Sequence, residues 1–253
     1  MPHEIVDGSS RFVLAHGFTQ TARSWEPFER TLRARLPGTE TLAVDLPGHG
    51  DAAPPADSDL WASADRLCRV GGIGTYVGYS MGGRTALHAV LSHPGTVERL
   101  VLIGATAGID DPAERAARRD ADALLAVHIE DVGVPTFVDE WLANPLFAGL
   151  TEATAQRADR VRNSAAGLAA SLRATGTGSQ TPLWARLGEI VCPTLVLVGE
   201  YDTKFTELGR RLVDGIVDAE LVVIPAAGHS VHLERPDATV NAIADWLDGP
   251  TRV

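Results

Sequence analysis

Six short apolar runs, none with a polar residue at every second position, constrain this chain more than any other feature. They lie in RFVLAHG (11–17), TETLAVDLPGHG (39–50), GTYVGYS (74–80), VERLVLIGA (97–105), CPTLVLVGEYD (192–202) and AELVVIPAAGH (219–229). A strand that is apolar on both faces must be covered on both. Amphipathic helical patterns at 22–36, 58–70, 82–93, 205–215 and 236–248 separate the runs. Buried strands alternating with helices predict an α/β fold, with a mainly parallel, doubly wound sheet.

One long stretch breaks the alternation. Between 108 and 183 there is no strand signal, and DDPAERAARRDADALLAVHIEDV (110–132), VPTFVDEWLANPLF (134–147) and TEATAQRADRVRNSAAGLAASLRAT (151–175) all read as helices. The expected organisation is a core of 1–107 and 184–253 carrying a helical cap, 108–183. Open α/β sheets bind ligands at the carboxyl ends of their strands, so such a cap would lie over the site.

Composition narrows the function. The net charge of −11 disfavours nucleic acid and anionic membrane as partners. No run approaches the roughly 20 apolar residues of a membrane span. The polar start MPHEIVDGSS has no signal-peptide character, and a cytoplasmic location is expected. Cys68 and Cys192 form no metal pattern and read as buried thiols rather than a disulfide. There is no metal-site spacing and no nucleotide-binding glycine fingerprint, so neither metal nor cofactor is expected. No sequence feature sets an oligomeric state.

The chemistry gathers at the ends of the runs. GYSMG (78–82) is a G-x-S-x-G motif between a strand and a helix, the pattern of a nucleophile elbow. Its turn puts Ser80 into the cleft and aims the N–H of Met81 at the same space. A serine hydroxyl needs a base, and the base needs an orienting acid. Asp202 and His229 follow the next two suitable strands, in the order Ser, Asp, His. The amide of Phe18, after the first strand, is the expected second donor of an oxyanion hole.

With these residues in place, the chain resembles the α/β-hydrolase superfamily over essentially its whole length. Within it, the chain is most similar to the 2-succinyl-6-hydroxy-2,4-cyclohexadiene-1-carboxylate (SHCHC) synthase family of menaquinone biosynthesis. HGFTQTARSW (16–25), DLPGHG (45–50) and AGHSVHLERP (227–236) are shared widely, whereas GYSMGGR (78–84), GTGSQTPLW (176–184) and GEYDTKF (199–205) are narrower. The resemblance implies a lyase that eliminates pyruvate from a small-molecule polycarboxylate, using Ser80, Asp202 and His229. It also implies substrate contacts from Tyr79, Arg84, Trp141 and Lys204, with one or both of Arg118 and Arg119. Lys204 is the only lysine in the chain. The plainer alternative is a surface charge for Arg84, Lys204 and the paired arginines, and packing for Trp141 and for Trp184. A serine hydrolase acting on an ester or a carbon–carbon bond is the competing enzyme. A non-catalytic receptor that kept the fold is the competing non-enzyme. Ser80 at the elbow excludes an aspartate nucleophile.

Overall fold

The computed structural model describes residues 11–54 and 59–249. The polar stretch 1–10 and the expected helix start at 58 lie outside the described residues. Among the described residues six strands form one sheet in the order β2-β1-β3-β4-β5-β6, every neighbouring pair parallel. They are β1 (Arg11–Ala15), β2 (Glu40–Val44), β3 (Gly74–Tyr79), β4 (Val97–Ile103), β5 (Thr194–Gly199) and β6 (Ala219–Ile224). The central β3 and β5 are buried along their whole length, while the edge strands β2 and β6 are only partly covered.

Strand periodicity divides the core in two. Phe12, Leu14, Val77, Val101, Ile103, Leu195 and Leu197 face one side. There they meet Phe28 and Leu32 of α1 (Glu26–Arg35) together with Val240 and Ile243 of a C-terminal helix, Pro236–Asp248. Val13, Tyr76, Leu100, Leu102, Val196 and Val198 face the other. They pack on α2 (Leu60–Gly71), α3 (Met81–Ser92) and a helix at Thr203–Gly215. Burying a side chain of this size stabilises by about 1.5–3 kcal/mol each.

Between β4 and β5 the chain is helical: α4 (Pro112–Leu142), α5 (Glu152–Ala155), α6 (Arg157–Arg160) and α7 (Ala165–Thr175). Asp111 caps α4, its Oδ1 accepting from Ala113 and Glu114 N, both at 2.8 Å. Gly133, at φ 77° and ψ 162°, kinks α4 where the sequence separates two helices. These helices close over their own apolar cluster of Ala126, Ile129, Phe137, Val138, Leu168 and Leu172. The expected continuous helix over 151–175 is not formed. Gln156 adopts a left-handed conformation (φ 53°, ψ 39°), and Ser164 starts α7 afresh by accepting from Gly167 N. The last three helices are α8 (Thr203–Gly215), α9 (Val231–Glu234) and α10 (Pro236–Asp248). Cys68 and Cys192 are both free. Among the described residues no helix is long and apolar enough to cross a membrane.

Candidate active site

The elbow is built by close approach. Ser80 follows β3 at φ 51° and ψ −106°, a conformation that costs a non-glycine residue on the order of 1–3 kcal/mol. A Cβ on Gly82 would stand 2.0 Å from the Ala15 carbonyl oxygen, and one on Gly78 would stand 2.5 Å from that of Gly82. Only glycine lets α3 start this close to the sheet. Met81 is the first residue of α3, so its N–H has no intrahelical acceptor.

Asp202 caps α8 just past β5, and His229 lies in the loop after β6. The two side chains are buried, and His229 Nδ1 donates to Asp202 Oδ2 at 2.7 Å. That bond puts the imidazole hydrogen on Nδ1 and leaves Nε2 as the basic nitrogen. The ring sits against Phe205 (4.4 Å between centroids) and Tyr79 (5.2 Å). Glu234 pins the histidine loop, accepting from Gly228 N at 2.7 Å and Ser230 N at 2.9 Å. This is the physical content of the glutamate in AGHSVHLERP.

The loop after β1 is equally constrained. Gly17 N donates to Gln20 Oε1 at 2.9 Å and Thr19 N to His49 Nε2 at 3.3 Å, with Phe18 N between them. His16 accepts from Leu46 N at 3.0 Å through Nε2 and donates to the Gly17 carbonyl at 2.8 Å through Nδ1. The segment 156–163 grips the same loop from above. Asn163 Nδ2 donates to the Thr19 carbonyl at 2.7 Å, Thr21 Oγ1 donates to Asp159 Oδ2 at 2.7 Å, and Gln156 Nε2 donates to the Ser24 carbonyl at 2.9 Å. Arg160 Nη1 donates to Thr19 Oγ1.

A cavity of about 320 Å³ joins these parts. Ser80, Met81, Phe18 and His229 line it, with Tyr79, Arg84, Arg118, Trp141 and Lys204 from the sequence expectation. Arg119 is exposed and is not among the lining residues; its backbone packs on Gly178. Trp184 is also elsewhere, donating from Nε1 to the Gly108 carbonyl at 3.0 Å beneath the Arg211 guanidinium. The Tyr79 hydroxyl is engaged with Ser230 Oγ at 2.7 Å, and burial holds this phenol protonated. Trp141 offers a buried indole N–H with no partner among the described residues.

The sequence reading missed Arg160. It is almost fully buried, lines the cavity, and leaves Nη2 without a partner among the described residues. Nothing local marks it, because the left-handed turn at Gln156 is what brings it inward. Burial pushes the guanidinium down to about 10, as it does for Arg84, so both stay cationic at neutral pH. Four cations therefore reach a cavity that no Asp or Glu lines among the described residues. Such a site can remove a proton, stabilise an oxyanion and hold carboxylates. Nor is there, among the described residues, a group of three or more His, Cys, Asp or Glu side chains placed to hold a metal.

Comparison with known proteins agrees with this architecture. Residues 12–242 match the alpha/beta hydrolase family. A 2-succinyl-6-hydroxy-2,4-cyclohexadiene-1-carboxylate synthase from Enterobacter sp. (strain 638) is 35% identical over 242 residues, covering 93% of this chain and 90% of the relative. The structure of MenH from S. aureus superposes with a TM-score of 0.88 at 30% identity, over 96% of this chain and 95% of that one. A malate-bound thermophilic esterase from Thermogutta terrifontis superposes at 0.78 with 25% identity, over 94% and 89%. The chain thus belongs to the alpha/beta hydrolase family, and over most of its length it is similar to SHCHC synthases.

Proposed function

We propose that the chain is a cytoplasmic carbon–oxygen lyase of menaquinone biosynthesis. It eliminates pyruvate from 2-succinyl-5-enolpyruvyl-6-hydroxy-3-cyclohexene-1-carboxylate to give SHCHC. Residues 108–183 serve as the cap over a core of 1–107 and 184–253. One observation carries the reading: His229, buried and bonded to Asp202, shares its cavity with Ser80 and with Arg84, Arg118, Arg160 and Lys204. An acidic chain has to build its attraction for a polycarboxylate locally, and these four cations do so.

In this mechanism a proton next to the substrate ketone passes to His229 Nε2, directly or through Ser80 Oγ. The C–H electron pair becomes an enolate, whose oxygen lies between the Phe18 and Met81 amides. Collapse of the enolate forms the C2–C3 double bond, moves the existing C3–C4 double bond to C4–C5, and breaks the C5–O bond to the enolpyruvyl group. The enolate of pyruvate leaves and regains a proton from the imidazolium. Asp202 keeps the imidazole in the required tautomer throughout.

The test is to supply the precursor and follow pyruvate. Release by the wild type is expected, with a loss on the order of 10³-fold or more in Ser80→Ala and His229→Ala. Intact mass of enzyme quenched during turnover should show no adduct on Ser80. An adduct that forms and decays at the turnover rate would instead favour a serine hydrolase.

A further inference from the structure

One buried carboxylate stands behind the cationic wall. Asp122 lies one turn beyond Arg118 on α4, and its side chain is 4% exposed against 43% for Arg118. Its Oδ1 accepts from Arg118 Nε at 2.7 Å. Its Oδ2 accepts from Gly178 N at 3.2 Å, so the carboxylate is itself fixed. The backbone around it is shaped for this arrangement. A Cβ on Gly176 would stand 2.5 Å from Asp122 Oδ2, and one on Gly178 would stand 2.2 Å from Arg119 N. Gly178 is explained by the approach of α4, and Gly176 by Asp122 together with the Leu172 carbonyl of α7, 2.4 Å from such a Cβ.

The same stretch of chain meets the second arginine. Arg84 Nη1 donates to the Thr175 carbonyl at 2.6 Å, and Thr175, Gly176 and Thr177 line the cavity. Two guanidinium groups that face one cavity repel each other. Burial first, and the charge of Arg118 second, hold Arg84 below its ordinary value, while Asp122 acts in the opposite direction. An exposed arginine side chain without an anchor samples many rotamers. With Nε held, Arg118 keeps Nη1 and Nη2 as a fork for a carboxylate.

We propose that Asp122 is a positioning residue for the anionic substrate, fixing the Arg118 guanidinium so that its free N–H groups face the cavity at a set separation from Arg84. The proposal rests on the polycarboxylate reading of the site. It has a rival with the opposite sign. If Asp122 acted only through its charge, its removal would tighten anion binding.

Succinate serves as the dicarboxylate probe, with binding followed by tryptophan fluorescence or calorimetry. Asp122→Asn keeps the shape, but its amide oxygen can accept from only one of the two donors in the same geometry. Succinate is expected to bind about 10-fold more weakly, and Arg118→Gln to show a similar loss. The double variant should lie within about 2-fold of Arg118→Gln alone, because both changes remove one interaction. In the elimination assay Asp122→Asn should raise KM by about 10-fold, with kcat within about 3-fold.

Equal or tighter succinate binding in Asp122→Asn would overturn the proposal, as would losses that multiply in the double variant. If Asp122→Asn does not fold, Arg118→Lys decides. Lysine keeps the charge but has no Nε, so wild-type binding by that variant would refute the idea. Absence of pyruvate release with normal succinate binding would remove the lyase reading and leave Asp122 to be judged on binding. Succinate binding by none of the chains, wild type included, overturns the role.

Discussion

Arg84 has two attachments. Nη1 holds the Thr175 carbonyl, and the residue also lines the cavity. Its replacement should therefore hurt substrate binding beyond the loss of one charge. Arg84→Ala is expected to lower kcat/KM on the polycarboxylate by about 2–4 kcal/mol. Arg84→Lys should recover only part, since an ammonium cannot reproduce the fork. Steady-state kinetics of pyruvate release on the two variants checks this, and full recovery by lysine would reduce Arg84 to a point charge. At this scale the sequence was informative where a residue ends a strand. Ser80 and Asp202 follow buried strands and His229 follows the partly covered edge strand β6, all parallel, so their convergence at the carboxyl ends follows from the sheet. Arg160 was silent, because its position depends on a left-handed Gln156 that propensity does not announce. Arg118 and Arg119 could be separated only by the helical phase of α4, which a run of charged and small residues leaves open.

Among elements, the contact between segment 156–163 and the loop after β1 matters most. Asn163 joins three pieces of chain: it donates to the Thr19 and Arg160 carbonyls and accepts from Gly50 N at 2.8 Å. Thr19 sits at φ 68°, a strained conformation that needs outside support, and it adjoins the proposed oxyanion donor Phe18. Asn163→Ala should therefore lower kcat for elimination by about 10-fold or more, with KM within about 3-fold, given that a lost oxyanion donor costs on the order of 10²–10³. Asn163→Asp keeps the acceptor for Gly50 but not the donor to Thr19, and it should stay impaired. A thermal melt alongside the kinetics separates this from unfolding; a KM effect without a kcat effect would refute it. The helical character of 108–183 was legible from its lack of strand signal. The breaks in 151–175 were not, since tertiary hydrogen bonds to Asn163 and a left-handed residue set them rather than any Gly or Pro.

For the molecule as a whole, buried histidines set an acid limit. His16, His49, His88 and His232 are all held below their ordinary value, with burial the largest cause in each; His88 lies near about 4 and His232 near about 3. Unfolded, each takes a proton near about pH 6.5. Stability is therefore full above that pH and is lost as pH falls toward the folded values, at about 1.4 kcal/mol per pH unit for each histidine. His232 lies against the rings of Trp25 and Tyr79, and neither ring nitrogen has a partner among the described residues. His232→Leu should make the loss between about pH 6 and 4 shallower by one histidine's share. Urea melts across that range measure it, and an unchanged slope would show that His232 is protonated in the native state.

The grip of segment 156–163 on the loop after β1 also bears on how such a protein can diversify. Arg160, which is proposed to hold the substrate, and Asn163, which supports the loop of a proposed oxyanion donor, belong to the same short segment of chain, and both bond Thr19. A helical segment grafted from a relative with different substrate groups would bring new pocket walls but leave Thr19 without its donors. Recombination at the proposed cap boundaries near 108 and 183 should therefore yield active chimeras only when residues 17–24 come from the same parent.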